Sequence, residues 1–172
     1  MSRARPCVLA ISSRGGHWTQ LRRLRRAFAG CNITWASTDR DLAKEVAPDQ
    51  FVFVPDASRW DRVKLAWSIL SVLWLVIRLR PDAIVSTGAA PGFFALRFGK
   101  LLGARTLWLD SFANSEELSL SGRKASAFAD LTLTQWPHLG EPLVASSAAG
   151  NEVPRRSLAR TKGHVYHAGA VV

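Results

Sequence analysis

Short apolar runs alternate along the chain with stretches of helical period. "CVLAI" (7–11), "NITWAS" (32–37), "FVFV" (51–54), "AIVS" (83–86), "RTLWLD" (105–110) and "LTLTQW" (131–136) are each four to six residues long and rich in branched or aromatic side chains. Runs of that length, bounded by turn residues, predict buried strands. Helical patterns lie between them. One covers Trp18 to Phe28, and a short one over 39–46 has Asp39 as its N-cap. A long one runs from about Trp60 to Leu79 and stops before Pro81. Another covers Phe93 to Leu102 with Gly103 just past its end, and a short one lies in "SGRKASAFA" (121–129). "HVYHAGAVV" (164–172) predicts a last strand. Apolar strands alternating with helices predict an α/β domain over residues 1–172, a Rossmann-like parallel sheet with helices on both faces. Residues 140–163 are small, polar and basic without a period, which predicts a mobile loop.

Sheets of this class bind ligands at the carboxyl ends of their strands. "SSRGGH" (12–17), "STGAAPG" (86–92) and "DSFANSEE" (110–117) each follow a strand, so all three belong to one rim. In the first, Gly15 and Gly16 open backbone conformations closed to other residues, and a helix start follows. Exposed amides at a helix start make an anion site. His17 would stand there as a hydrogen-bond donor or general base, with Arg14 able to meet a phosphate. The spacing is neither that of a Walker loop nor the GxGxxG dinucleotide fingerprint. A tight turn with a capping histidine accounts for the same residues. Gly88 and Gly92 in the second stretch permit close backbone approach, or simply turn the chain. In the third, Asp110, Ser111, Asn114, Glu116 and Glu117 could hold a sugar hydroxyl or take its proton, or cap and solvate a helix.

The long helix has thirteen uncharged residues between Lys64 and Arg78, short of the roughly 20 that cross a bilayer. Leu65, Ile69, Val72, Leu73 and Val76 form one face, and Lys64, Ser68, Ser71 and Arg78 a polar stripe. Trp60, Trp67 and Trp74, seven apart, line its border, with basic residues at both ends. That pattern fits a helix lying in a membrane interface, and equally one packed on the sheet with tryptophans in the core.

Composition adds a direction. The net charge is +10, 18 of 23 basic residues are arginine, and seven arginines precede residue 27 while the first acid is Asp39. Such a bias predicts an anionic neighbour, or simply a solubilising face. No RNA- or DNA-binding pattern accompanies it, so nucleic acid is not expected. Cys7 and Cys31 form no disulfide framework and suit a reduced cytoplasm, and "CVLAI" is too short for a signal peptide. His164 and His167 are three apart but lack further ligands nearby, so no metal site is expected; without a dinucleotide fingerprint no cofactor is expected either.

Together, "GGHWTQL", "STGAAPG", "LWLDSFANSEELSLSGRKASAFADLTLTQWP" and "VYHAG" resemble the acceptor-side subunit of split glycosyltransferases. That family includes a dolichol-pathway subunit and PssD-type exopolysaccharide proteins, and is similar to the N-terminal half of MurG. The resemblance covers about residues 7–137 and the tail. It implies the N-terminal half of a GT-B glycosyltransferase that meets a polyprenyl-diphosphate-linked sugar at the cytoplasmic face of the inner membrane. A separate partner chain would bind the nucleotide-sugar donor, and this chain alone would lack full activity. By position, Gly15, Gly16 and His17 would face the acceptor diphosphate and reaction centre, with Gly88 and Gly92 in a second loop. Asp110, Ser111 and Phe112 stand where relatives carry Glu-Ser, so the carboxylate is one methylene shorter. The resemblance makes His17 the first candidate base and Asp110 the second. Membrane attachment falls to the Trp60–Arg80 helix and the arginine-rich first helix. The alternatives are a non-catalytic docking scaffold and, more remotely, a nucleotide-binding oxidoreductase.

Overall fold

The computed structural model describes residues 5–56, 62–142 and 163–167. Eight parallel strands form one sheet: β1 (Cys7–Ile11), β2 (Asn32–Ser37), β3 (Gln50–Phe53), β4 (Ala83–Ser86), β5 (Arg105–Leu109), β6 (Leu131–Thr134), β7 (Glu141–Pro142) and β8 (Tyr166–His167). Their spatial order is β3-β2-β1-β4-β5-β6-β8-β7. The chain builds outward from β1 in one direction and resumes on its other side with β4. The boundary between β1 and β4 is therefore a topological switch point, where sheets of this kind leave a crevice. Register keeps the carboxyl ends level there, with Ile11 opposite Ser86 and Ser86 opposite Trp108. The Rossmann-like parallel sheet expected from the strand pattern is the observed fold.

Alternate residues of β1 point to opposite faces, as the pleat requires. Leu9 and Ile11 join Val72, Val76, Ile84, Leu96 and Trp108 on one side. Val8 and Ala10 join Trp18, Leu21, Trp35, Val46 and Val85 on the other. The helices α3 (Arg62–Leu79), α4 (Ala89–Leu101) and α5 (Leu120–Ser126) cover the first face. The helices α1 (Gly16–Arg23) and α2 (Ala43–Val46) cover the second. Trp18, Trp35, Phe28 and Phe51 meet edge-on beneath them, with ring centroids 5.8–6.0 Å apart.

Several boundaries differ from the sequence expectation. The first helix begins earlier, at Gly16, and tightens into a 3₁₀ turn over Leu24–Phe28. The helix expected from Phe93 starts at Ala89. Pro91 falls in its first turn, where its missing N–H costs nothing. Two-residue β7 lies in the stretch expected to be a loop; residues 143–162 of that stretch are outside the described residues, as is most of the expected last strand.

A buried-edge network ties α4 to the sheet. The Asp130 carboxylate accepts from Thr106 N at 2.9 Å, Thr106 Oγ1 at 3.0 Å and Lys100 Nζ. Partial burial raises its pKa, but these hydrogen bonds and the Lys100 charge outweigh it and hold the group below the ordinary 3.8. A lowered folded value means the stabilisation is complete above about pH 3.8 and is lost as pH falls below it. Asp130→Asn should cost about 1 kcal/mol at neutral pH and flatten the acid limb of a pH–denaturation curve.

Candidate functional site

Three loops leave the carboxyl rim around the β1/β4 switch point. The first runs from Ser12 to Gly15. Gly15 has φ 77°, ψ −139°, a conformation that glycine adopts without strain. Arg14 anchors through its amide, which donates to Thr38 Oγ1 at 3.2 Å, while its side chain is exposed. α1 begins immediately after, with no side-chain cap on its first-turn amides. Space above Gly15 and Gly16 is open: a side chain added at either would meet nothing within 4 Å.

The second loop, Thr87–Gly88, crosses the switch point to meet the first. His17 Nδ1 lies 2.9 Å from the Thr87 carbonyl oxygen, and Thr87 Oγ1 donates to the His17 carbonyl at 2.6 Å. Gly88 has φ 145°, and a side chain there would overlap the His17 ring. This glycine serves to admit the histidine. Gly92 does something else. It is buried in the first turn of α4, where a side chain would strike Ser86, so it sets helix–sheet packing and does not open to the rim.

The third loop follows β5. Its centre is Asp110, 1% exposed. One carboxylate oxygen accepts from Trp108 Nε1 at 3.0 Å and Ser119 Oγ at 2.6 Å. The other accepts from Ser119 N at 2.8 Å and Asn114 Nδ2 at 3.3 Å. With four donors on two oxygens, its acceptor sites are filled. The sequence marks Asp110 as a candidate base, but here it holds the loop from within. Ser119 completes the arrangement by capping α5, accepting from Gly122 N at 2.8 Å. Glu116 is exposed and outside the pocket lining.

Where the start of α1, the start of α4 and the third loop meet, a half-open pocket of about 240 Å³ is lined by His17, Ala89, Ser111, Asn114, Ser119 and Ser121, together with Ala113 and Leu120. His17 and Ser111 were legible in the sequence. Thr87 and Ser119 were not singled out, although Ser119 three residues before Gly122 is a recognisable helix-cap position. Apart from His17, the lining is uncharged: Ser111, Asn114, Ser119 and Ser121 bring hydroxyl and amide groups, and Ala89, Ala113 and Leu120 are apolar. No charged side chain enters it, which suits an uncharged polyol better than a phosphate. Beside it, Phe112 stacks on Trp136 with centroids 4.7 Å apart, and Trp136 Nε1 donates to the Phe112 carbonyl at 2.9 Å. Among the described residues no cluster of three or more His, Cys, Asp or Glu could hold a metal ion.

The outward face of α3 differs from the helical-wheel reading. Val63, Trp67, Leu70, Trp74 and Ile77 are exposed, at 49–78%. They recur at helical spacing and form one apolar stripe. Ser68, expected on the polar stripe, is buried, and its hydroxyl donates to the Pro55 carbonyl at 2.8 Å. Trp67 and Trp74 are therefore neither core nor border; they centre the exposed face. Arg78 lies over the Trp74 ring at 5.4 Å, and Arg40 over Phe53 at 4.5 Å, flanking an apolar groove of about 720 Å³. Trp60 lies outside the described residues. No helix among the described residues is long and apolar enough to cross a membrane.

No family model matches the chain. Over 73 residues it is 38% identical to the UDP-N-acetylglucosamine transferase subunit ALG14 of Yarrowia lipolytica, a match covering 39% of this chain and 34% of that protein. Its fold is similar to that of MurG from Acinetobacter baumannii (TM-score 0.64, 16% identity, 78% of this chain and 43% of that one). It is equally similar to a UDP-N-acetylglucosamine 2-epimerase from Rickettsia bellii (TM-score 0.63, 13% identity, 97% and 45%). The fold is thus the Rossmann-like α/β half seen in GT-B glycosyltransferases. The matched region spans about a third of the curated relative, and the chain less than half of either solved structure. Since an epimerase shares the fold, the fold by itself does not select sugar transfer.

Proposed function

We propose that this chain is the acceptor-binding, membrane-associated subunit of a two-component glycosyltransferase of the PssD and dolichol-pathway type. The observation that carries this reading is the placement of His17. It stands at the switch point, beside an open glycine-lined helix start and over a small neutral pocket. The 73-residue likeness to a transferase subunit favours transfer over epimerisation. On this reading the pocket receives the terminal sugar of a polyprenyl-diphosphate-linked acceptor. Ser111, Asn114 and Ser119 hydrogen-bond its hydroxyls. The diphosphate lies outward, toward Arg14 and the amides after Gly15. An acceptor hydroxyl attacks the anomeric carbon of the donor sugar while the nucleoside diphosphate leaves with the bonding electrons, and the His17 imidazole accepts the hydroxyl proton. Asp110 takes no proton and keeps the pocket in shape. The donor is held by a partner chain facing this rim.

The decisive experiment is reconstitution. The chain, its donor-binding partner, a UDP-sugar and a polyprenyl-diphosphate-sugar in vesicles should yield product only when both chains are present. Equal transfer by the partner alone would overturn the reading.

On this reading the outward stripe of α3 supplies the attachment: tryptophans with flanking arginines suit the interface of an anionic leaflet, and the leaflet we propose is the cytoplasmic face of the plasma membrane. The Trp67→Ser, Trp74→Ser double variant should keep its unfolding midpoint, because both side chains are largely exposed. Its partitioning onto vesicles containing acidic phospholipid should fall at least about tenfold. Unchanged partitioning would remove α3 from the membrane contact.

A further inference from the structure

We infer that Thr87 is a positioning residue that selects the tautomer of His17; the link to catalysis rests on the function proposed above, but the tautomer itself does not. The contact is reciprocal. A carbonyl oxygen accepts hydrogen bonds and never donates them, so the His17 nitrogen 2.9 Å from the Thr87 carbonyl, Nδ1, carries the hydrogen. In the neutral ring the lone pair then resides on Nε2, which has no hydrogen-bond partner among the described residues. His17 is itself part of the pocket lining. A base that takes a hydroxyl proton needs a free lone pair, and this arrangement leaves it on Nε2.

The side chain of Thr87 makes the selection firm. Its Oγ1 donates to the His17 carbonyl at 2.6 Å, closing a two-bond clasp between the end of β4 and the first turn of α1. Thr87 is fully buried, so the clasp is shielded from competing water. Gly88 follows with no side chain to displace the ring. Backbone and imidazole are thereby held together, and the ring is kept from turning its other nitrogen to the carbonyl.

Thr87→Val keeps the shape and removes the hydroxyl; Thr87→Ser restores it. The test is ¹⁵N NMR of the imidazole in the full chain, together with steady-state transfer in the reconstituted system. Wild type and Thr87→Ser should show His17 as a single Nδ1–H tautomer when neutral. Thr87→Val should show a mixture, with kcat lowered about tenfold or more and KM within about twofold. Circular dichroism establishes that each variant is folded. An Nε2–H tautomer in the wild type, or a single Nδ1–H tautomer in Thr87→Val, would overturn the inference. Expected tautomers in a chain that supports no transfer would leave the positioning role of Thr87 standing as structure and sink the catalytic reading instead.

Discussion

Alanine at Asp110 is expected to destabilise the chain by about 3–5 kcal/mol, a large share of a typical domain's stability. The carboxylate is buried and receives four hydrogen bonds. Removing it strands the indole N–H of Trp108, itself fully buried, and two donors of Ser119. Each unsatisfied buried donor costs about 1–3 kcal/mol, although water admitted to the partly exposed Ser119 and Asn114 offsets part of the sum. Asparagine is a sharper probe. It keeps one acceptor oxygen but turns an amide NH₂ toward donors, so it should lie between alanine and wild type. Denaturant midpoints measure both. A midpoint for Asp110→Ala equal to wild type would show that the carboxylate does not hold the loop.

The second large effect concerns rate. His17→Ala should lower kcat of the reconstituted transferase by about 10²–10⁴, the range a positioned general base supplies, corresponding to about 3–5 kcal/mol of barrier. KM for the lipid-linked acceptor should change far less. Loss of a proton acceptor acts in the transition state, whereas on the proposed reading Ser111 and Asn114 would retain ground-state binding. Undiminished kcat would return the chain to a docking scaffold whose partner performs all the chemistry. Because His17 also clasps Thr87, the unfolding midpoint must be measured alongside. A rate loss with a retained midpoint identifies the chemistry.

What the sequence made legible, and what it did not, follows from the range of each interaction. β1, β2 and β4 were readable to the residue because strands buried on both faces are continuous apolar runs, and a parallel sheet follows from their spacing. The glycine–histidine loop was readable because a local signal, two glycines before a helix start, carries it. Asp110 reads two ways in the sequence, as a base or as a structural group, for the opposite reason. A carboxylate at a strand end is as suited to catalysis as to structure. Only folding brings Trp108 from two residues before it, and Ser119 from nine after, onto the same two oxygens. Ser68 is similar: a serine on a helical wheel reads as solvent-facing until a carbonyl from the preceding loop, Pro55, is placed against it. Gly92 reads as a turn glycine in "STGAAPG", whereas the helix already starts at Ala89 and Pro91 is tolerated in its first turn.

The glycines at this rim answer to different constraints. At Gly88 the polypeptide itself forbids any side chain, since φ is positive and the His17 ring occupies the space. At Gly16 it forbids nothing: the residue is helical and the space beyond it is empty. Selection for folding alone would therefore fix the first and let the second drift. Wherever related chains keep glycine at both, the second is held by whatever molecule comes to rest on it.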